Sequence, residues 1–313
     1  MNFLSLKSVL QNRSGGRLML ERVENDNAIL EICKYVDEVA PTDKDALNIF
    51  YEILVAEGGA GCVCGSDKIV RKDGERSFIC DDCGSRTWFL SRILLSKARR
   101  FKAYFAAALI YEAGLEITGS GLANFTNVVS ATGLSIQKKL NTAISNQMPE
   151  DAPKISGRNL KAIIAKRTAI TPIGKRPFAE QEQIDEMLAL HADEQVVLAP
   201  AADDSSSIEQ ASAAENRLLD EFDMAHADST RVDTELARSL ALATANFVNT
   251  VIEYCHGIGR KAIQLKLAGW WCSSDRERWG VGNIMRLCLT HPPVTGREIL
   301  TYVSPPLLSI MLC

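Results

Sequence analysis

Cys62-Val63-Cys64-Gly65-Ser66 and, after an interval of fifteen residues from Cys64, Cys80-Asp81-Asp82-Cys83-Gly84-Ser85 are the stretches that decide how this 313-residue chain is built. Tetrahedral zinc takes four soft ligands at about 2.3 Å, and two short cysteine turns on adjoining hairpins bring four thiolates to that distance. Glycine after each pair permits the tight turn that aims backbone amides at the sulfurs. Between the pairs, Lys68 to Arg71 and Arg76 to Ile79 read as strands, with Asp73-Gly74 as a hairpin turn. So small a module has little apolar core, and a bound metal supplies much of its folding energy. The pattern therefore predicts a zinc ribbon with a structural Zn2+ on Cys62, Cys64, Cys80 and Cys83. The first pair is spaced C-x-C rather than C-x-x-C, which demands an altered knuckle. Two other readings stay open: a metal-free ribbon whose cysteines are small buried hydrophobes, and a redox role for Cys80 and Cys83. Cys33, Cys255, Cys272, Cys288 and Cys313 are scattered and read as core filler.

On the N-terminal side, residues 25–38 read as a short helix with Ile29, Leu30, Cys33 and Val36 on one side. Pro41-Thr42 followed by Asp43 and Asp45 starts a second helix, which Gly58-Gly59 stops. On the C-terminal side, residues 97–114 read as a helix with an almost continuous apolar run from Tyr104 to Tyr111. A helix at 119–130, a turn at Thr132-Gly133-Leu134 and a helix from Ile136 to Ile144 capped by Ser135 have the rhythm of a helix-turn-helix. In that arrangement Gln137, Lys138 and Asn141 face outward as base or phosphate contacts. Lys97, Arg99, Arg100 and Lys102 stand ready to hold the phosphate backbone. A plain helical hairpin within a larger core is the competing reading. Further on, residues 178–190 and 208–226 read as acidic helices. Residues 234–254 form a long apolar helix, Arg260 to Trp271 another, and 295–302 a short one.

Apolar residues make up 46% of the chain and charged residues 24%, enough for a sizeable core. The net charge of −4 excludes a uniformly basic nucleic-acid protein, yet it conceals a segregation. Residues 68–139 hold 12 Lys/Arg against 6 Asp/Glu, and residues 151–177 hold 7 against 1. Residues 178–235 hold 2 basic and 16 acidic side chains, and residues 236–313 hold 8 and 4. A polyanion is attracted to the basic segments and repelled by the acidic one. No apolar run reaches the ~18 residues that span a bilayer, and the cysteine usage suits a reducing compartment. A cytoplasmic location without membrane partners is expected. The fold expected is mostly α-helical with a small β zinc ribbon, α+β and multidomain. Its segments are expected to be 1–58 (helical), 59–92 (ribbon), 93–150 (helical, with the helix-turn-helix), 151–235 (a basic then acidic, partly disordered linker) and 236–313 (helical).

The order of features from Asp43 through Ser145 includes Cys64-Gly65-Ser66, Cys80, Cys83, Trp88-Phe89 and Ala131-Thr132-Gly133-Leu134-Ser135. It resembles the N-terminal region of bacterial insertion-sequence transposases of the ISXO2-like type. The stretch Gly257-Ile258-Gly259-Arg260-Lys261, Trp270-Trp271, Asp275-Arg276-Glu277-Arg278-Trp279 and Leu300 to Pro305 resembles the tail of the same proteins. Together these cover about 150 residues, roughly half the chain. The resemblance implies that ribbon and helices recognise transposon-end DNA. Members also carry a ribonuclease-H-like domain between ribbon and tail, whose spaced carboxylates hold two divalent metals. Here Val196-Val197-Leu198 is the one clear apolar β-branched run between residues 151 and 235. Asp185, Asp203, Asp204, Asp220 and Asp228 sit in helical or linker-like contexts, and no catalytic residue is assigned. The expectation is a transposase-derived protein that binds double-stranded DNA, nucleoid-associated when bound, without strand-transfer activity. An active transposase with a divergent metal-dependent domain is one alternative. A zinc-ribbon protein–protein adaptor is another, with the apolar helices 97–113 and 236–254 offering a homo-oligomer contact.

Overall fold

The structure, a computed structural model, describes residues 22–59, 61–157, 160, 234–255 and 262–312. The chain is mostly helical with a few short antiparallel strands. It divides into two compact units. One holds the described residues up to Asn146 together with Cys272–Leu300, and the other the described residues from Gln147 to Trp271 with those from Thr301 onward. The acidic helices expected at 178–190 and 208–226 lie outside the described residues.

In the first unit, α1 (Arg22–Val39) buries Asn25, Ile29, Ile32, Cys33 and Val36, one face of a 3.6-residue period. α2 (Asp43–Ala56) starts with the capping box that Pro41-Thr42-Asp43-Lys44-Asp45 foreshadows. Thr42 Oγ1 accepts from the Asp45 amide at 3.2 Å, and Asp45 Oδ2 accepts from the Thr42 amide at 3.0 Å. The ribbon follows as a three-stranded antiparallel sheet, β1 (Ile69–Val70), β2 (Ser77–Cys80) and β3 (Arg86–Trp88), in that order. Gly74, at φ 78°, turns the hairpin as Asp73-Gly74 suggests. One helix expected over 97–114 is instead a 3-10 turn at Leu94–Lys97 and then α3 (Phe101–Glu112). The break has a cause. Arg100, at the start of α3, supplies no side-chain cap, and the Lys102 amide donates to Asp43 Oδ1 of α2 at 3.0 Å. α3 is buried on all sides except at Lys102, as its continuous apolar run requires.

The helix pair that follows departs from the expected boundaries. α4 (Gly119–Phe125) is shorter, and α5 (Ser130–Ser145) runs straight through Thr132-Gly133-Leu134. The chain reverses at Thr126–Val129, where Asn127 takes φ 51°, a left-handed conformation that asparagine tolerates. Gly133 serves close approach rather than turning. A Cβ there would lie within 3 Å of the Gly119 carbonyl and the Ala123 side chain, and one at Gly119 within 3 Å of the Leu134 Cα. The two glycines form the crossing of α4 and α5.

α8 (Asn283–Thr290) completes the first unit against α3. Its N-cap is Gly282, which has no side chain to cap with. Buried Glu112, at the end of α3, reaches across, and its Oε1 accepts from the Met285 amide at 2.8 Å. Arg276 in turn donates to the Tyr111 and Glu112 carbonyls at the C-terminal end of α3. Burial raises the Glu112 pKa above the ordinary 4.5, although the amides of Met285, Gly282 and Ile284 and the charge of Arg276 pull it down.

The second unit pairs β4 (Lys154–Ser156) antiparallel with β5 (Leu307–Ser309), Ile155 opposite Leu308. Its core joins Ile155, Leu308 and Ile310 to Leu240, Phe247 and Val251 of α6 (Thr234–Cys255) and Ile263, Leu267 and Trp270 of α7 (Ile263–Ser274). The buried Gln264 side chain acts as a strand partner for Ser309, donating to its carbonyl at 3.1 Å and accepting from its amide at 2.9 Å. A short helix, α9 (Gly296–Thr301), lies between α8 and β5 in the chain.

Three outcomes follow. Glu112→Ala strips the start of α8 of its acceptor and costs about 2–4 kcal/mol in denaturant unfolding. Glu112→Gln retains an acceptor. Because the folded-state pKa is raised, the wild-type chain binds more protons folded than unfolded, and this contribution falls as pH rises above 4.5. The stability difference between wild type and Glu112→Gln shifts toward the variant over that rise. Gly133→Val, which forces α4 and α5 apart, costs about 1–3 kcal/mol.

Candidate functional site

The four cysteines converge. The Sγ atoms of Cys62, Cys64, Cys80 and Cys83 all lie within 4.8 Å of one another. Cys62 and Cys83 are 3.4 Å apart, Cys64 and Cys80 3.6 Å, and all four are free thiols. Tetrahedral ligands at about 2.3 Å from a metal sit about 3.8 Å from each other. The donor set therefore fits one tetrahedral thiolate-bound ion.

The two knuckles are built differently. The second closes with the Gly84 amide on the Cys80 carbonyl at 2.8 Å and the Cys80 amide on the Ser85 carbonyl at 3.0 Å. The first, one residue shorter, closes with Gly65 on the Cys62 carbonyl at 2.9 Å and Cys62 on the Ser66 carbonyl at 3.1 Å. Gly65 at φ 87° and Gly84 at φ 69° make both turns possible. The serine after each glycine reaches to the opposite knuckle. Ser66 Oγ donates to Asp82 at 2.6 Å, and Ser85 Oγ lies 3.0 Å from the Cys62 and Cys83 sulfurs. The repeated Cys-Gly-Ser carries this signal in the sequence, its serines as much as its glycines.

The thiols are electrostatically unequal. Cys62 is lowered to about 6, first by the Cys64 backbone amide and then by the Ser85 hydroxyl. Cys83 is lowered by the same hydroxyl and by the Ser85 amide. At Cys64 the Ser66 amide favours the thiolate, but the adjoining Cys62, Cys83 and Cys80 thiols together push it up to about 12. A divalent ion resolves that conflict, because it lets all four ionise together.

The ribbon is fastened to α2. Asn48 Oδ1 accepts from Arg71 Nη2 and from the Gly74 amide, each at 2.9 Å. The Arg71 guanidinium lies 4.3 Å from the Tyr51 ring centroid and 5.4 Å from that of Phe89. Phe78 on the inner face of β2 is buried.

The residues expected at DNA separate into two groups. Gln137 and Asn141 do not face outward. Gln137 is 5% exposed and donates to the Ile117 carbonyl at 2.6 Å, while Asn141 is 2% exposed and accepts from the Tyr111 hydroxyl at 2.7 Å. The inward stripe of α5, set by Gly133, Ile136, Leu140 and Ile144, is wide enough to take in both polar residues. Lys102 is committed to Asp37 at 2.6 Å and the Pro41 carbonyl at 3.0 Å, and Arg100 lies 3.6 Å from Asp43. Lys97 and Arg99 are exposed and Lys138 is half-buried, and none has an ion pair among the described residues.

Lys139 joins them. Its ammonium pKa is lowered, first by burial and then by the charge of Lys97. The sequence shows Lys138-Lys139 plainly, but only the fold brings Lys97 close. From residue 117 through 149, which spans α4 and α5, the chain has no acidic residue. The outward stripe of α5 carries Ser130, Ala131, Leu134 and Ser135, with Val129 just before it.

No protein-family model, curated protein or solved structure matches the chain. No described helix is long and apolar enough to cross a membrane.

Ser85→Ala leaves the four ligands in place but removes the hydroxyl shared by Cys62 and Cys83. Metal affinity in a competitive chelator titration drops about 10-fold or more, whereas Cys80→Ser abolishes stoichiometric binding.

Proposed function

We propose that the chain is a transposase-derived protein that binds double-stranded DNA and lacks strand-transfer activity. Cys62, Cys64, Cys80 and Cys83 hold a structural zinc ion, the metal that an all-thiolate tetrahedral set favours. The ion closes the ribbon and supplies no catalysis. α4 and α5 meet the duplex, with Lys97, Arg99, Lys138 and Lys139 on its phosphates. Arg100 and Lys102 are left to tie α3 to its neighbours.

Charge carries this reading. A helix pair bare of acid over residues 117–149 stands with cations that no described carboxylate neutralises. Such a surface exchanges condensed counterions for protein charge when it meets a polyanion. The absence of strand transfer rests on residues 151–235, where one apolar β-branched run replaces the several that a ribonuclease-H-like sheet needs.

The adaptor reading has one observation in its favour. The outer face of the ribbon sheet shows Val70, Ile79 and Trp88, each about half exposed. Outward positions of a one-sided sheet are ordinarily polar.

The test is metal content by mass spectrometry together with duplex binding across salt. One zinc per chain is expected. With four phosphate contacts, affinity falls about 100-fold between roughly 50 and 200 mM salt. Paired Lys97→Glu and Lys139→Glu weakens binding to every duplex and flattens that slope, and Mg2+ induces no strand cleavage. Binding that ignores both salt and charge reversal, or a chain that captures protein and no duplex, transfers support to the adaptor reading.

A further inference from the structure

The burial of Gln137 and Asn141 changes what α5 can read. The side chains that pair bidentately with a base are Arg, Lys, Asn and Gln. Among the residues of α5 that reach solvent, only Lys138 and Lys139 are of this kind, and both are half-buried. What α5 shows on its first two turns is small or apolar. Val129 is 71% exposed and Leu134 44%, and Ser130, Ala131 and Ser135 are short enough to let the helix come close to another surface. Val129 also occupies the N-cap, where a polar side chain would ordinarily satisfy the first amides, and no side chain caps the helix.

An exposed apolar stripe normally marks a contact with an apolar partner. Here it lies within a segment free of acid, alongside Lys138 and Lys139, which no described carboxylate pairs with, so the charge complementarity is with a polyanion. Major-groove base edges carry one apolar group, the 5-methyl of thymine. The small residues around Leu134 would let the helix enter the groove far enough to reach it.

We infer that the outward stripe of α5 enters the major groove and that Leu134 and Val129 recognise thymine through its 5-methyl group. This rests on the duplex-binding reading above and adds the base class. The Ser130 and Ser135 hydroxyls flank the contact and accept either base partner. The preferred site is rich in A·T pairs, and the preference is apolar rather than hydrogen-bonded.

The test uses the full zinc-loaded chain. A random-sequence duplex pool is put through rounds of selection, and the enriched duplexes are remade with deoxyuridine in place of thymidine, which removes only the methyl groups. The expected result is enrichment in A·T pairs and a loss of about fourfold in affinity for each contacted methyl removed, the equivalent of ~0.8 kcal/mol for a buried CH2 group. Leu134→Ala and Val129→Ala, each checked for an unchanged zinc content, bind the thymine and uracil duplexes more nearly alike than the wild-type chain does. Salt-sensitive duplex binding with no difference between thymine and uracil overturns this inference and leaves the duplex reading standing. Full discrimination retained in both variants also overturns it. No binding to either pool at low salt overturns both readings.

Discussion

Four thiols held within reach of one another resist ionising together unless a cation sits among them, and this constraint organises the first unit. The sequence spends little apolar surface on the ribbon. Its integrity depends on two knuckles that are each tied to the other by a serine, Ser66 to Asp82 and Ser85 to Cys62. From there the restraint passes along contiguous contacts. Asn48 and Tyr51 seat the hairpin on α2, and Asp43 of α2 receives the first turn of α3. Phe50 and Phe105 pack edge to face between the same two helices. Tyr111 of α3 then bonds Asn141 of α5. Between the cysteine loops and the helix pair there is a continuous run of packed, hydrogen-bonded groups, so the orientation of one is fixed relative to the other.

Several helix ends in the first unit are satisfied from elsewhere in the fold. Asp43 serves α3, Glu112 serves α8, and Arg276 serves the carbonyl end of α3. The same economy of means recurs with side-chain amides. Asn25 pairs reciprocally with the backbone of Glu116, and in the second unit Gln264 does so with Ser309. These groups are buried or half-buried, where an unmet amide or carbonyl is expensive. They are specific in a way that apolar packing alone is not, since each partner must arrive in register.

Local patterns made part of this legible. The capping box at Thr42 and Asp45, the Asp73-Gly74 hairpin and the buried run of α3 all express themselves within a few residues, and so do the four cysteines. Contacts distant in sequence leave no such local trace. Gly133 looks like a turn when read along the chain and is a helix crossing when seen beside Gly119. Gln137 and Asn141 look like surface groups because they are polar, yet the apolar stripe beside them is broad enough to carry both inward. Lys102 looks like a phosphate contact until Asp37, far away in sequence, is seen to hold it. β4 and β5 have three residues each, too few for a period to show, and their pairing spans about half the chain. The sequence has no local sign that Glu112 caps a helix beginning at Asn283.

That last contact bears on how the protein is made. The carboxylate of Glu112 and the amide of Met285 are separated by 173 residues, so at ribosomal speeds of 5–20 residues per second the first waits roughly 9 to 35 s for the second to be synthesised. During that interval α3, the most apolar helix of the unit, lacks the α8 face that covers it. Burial this late leaves an apolar surface uncovered while the polypeptide is still being made, the kind of exposure that favours aggregation over folding.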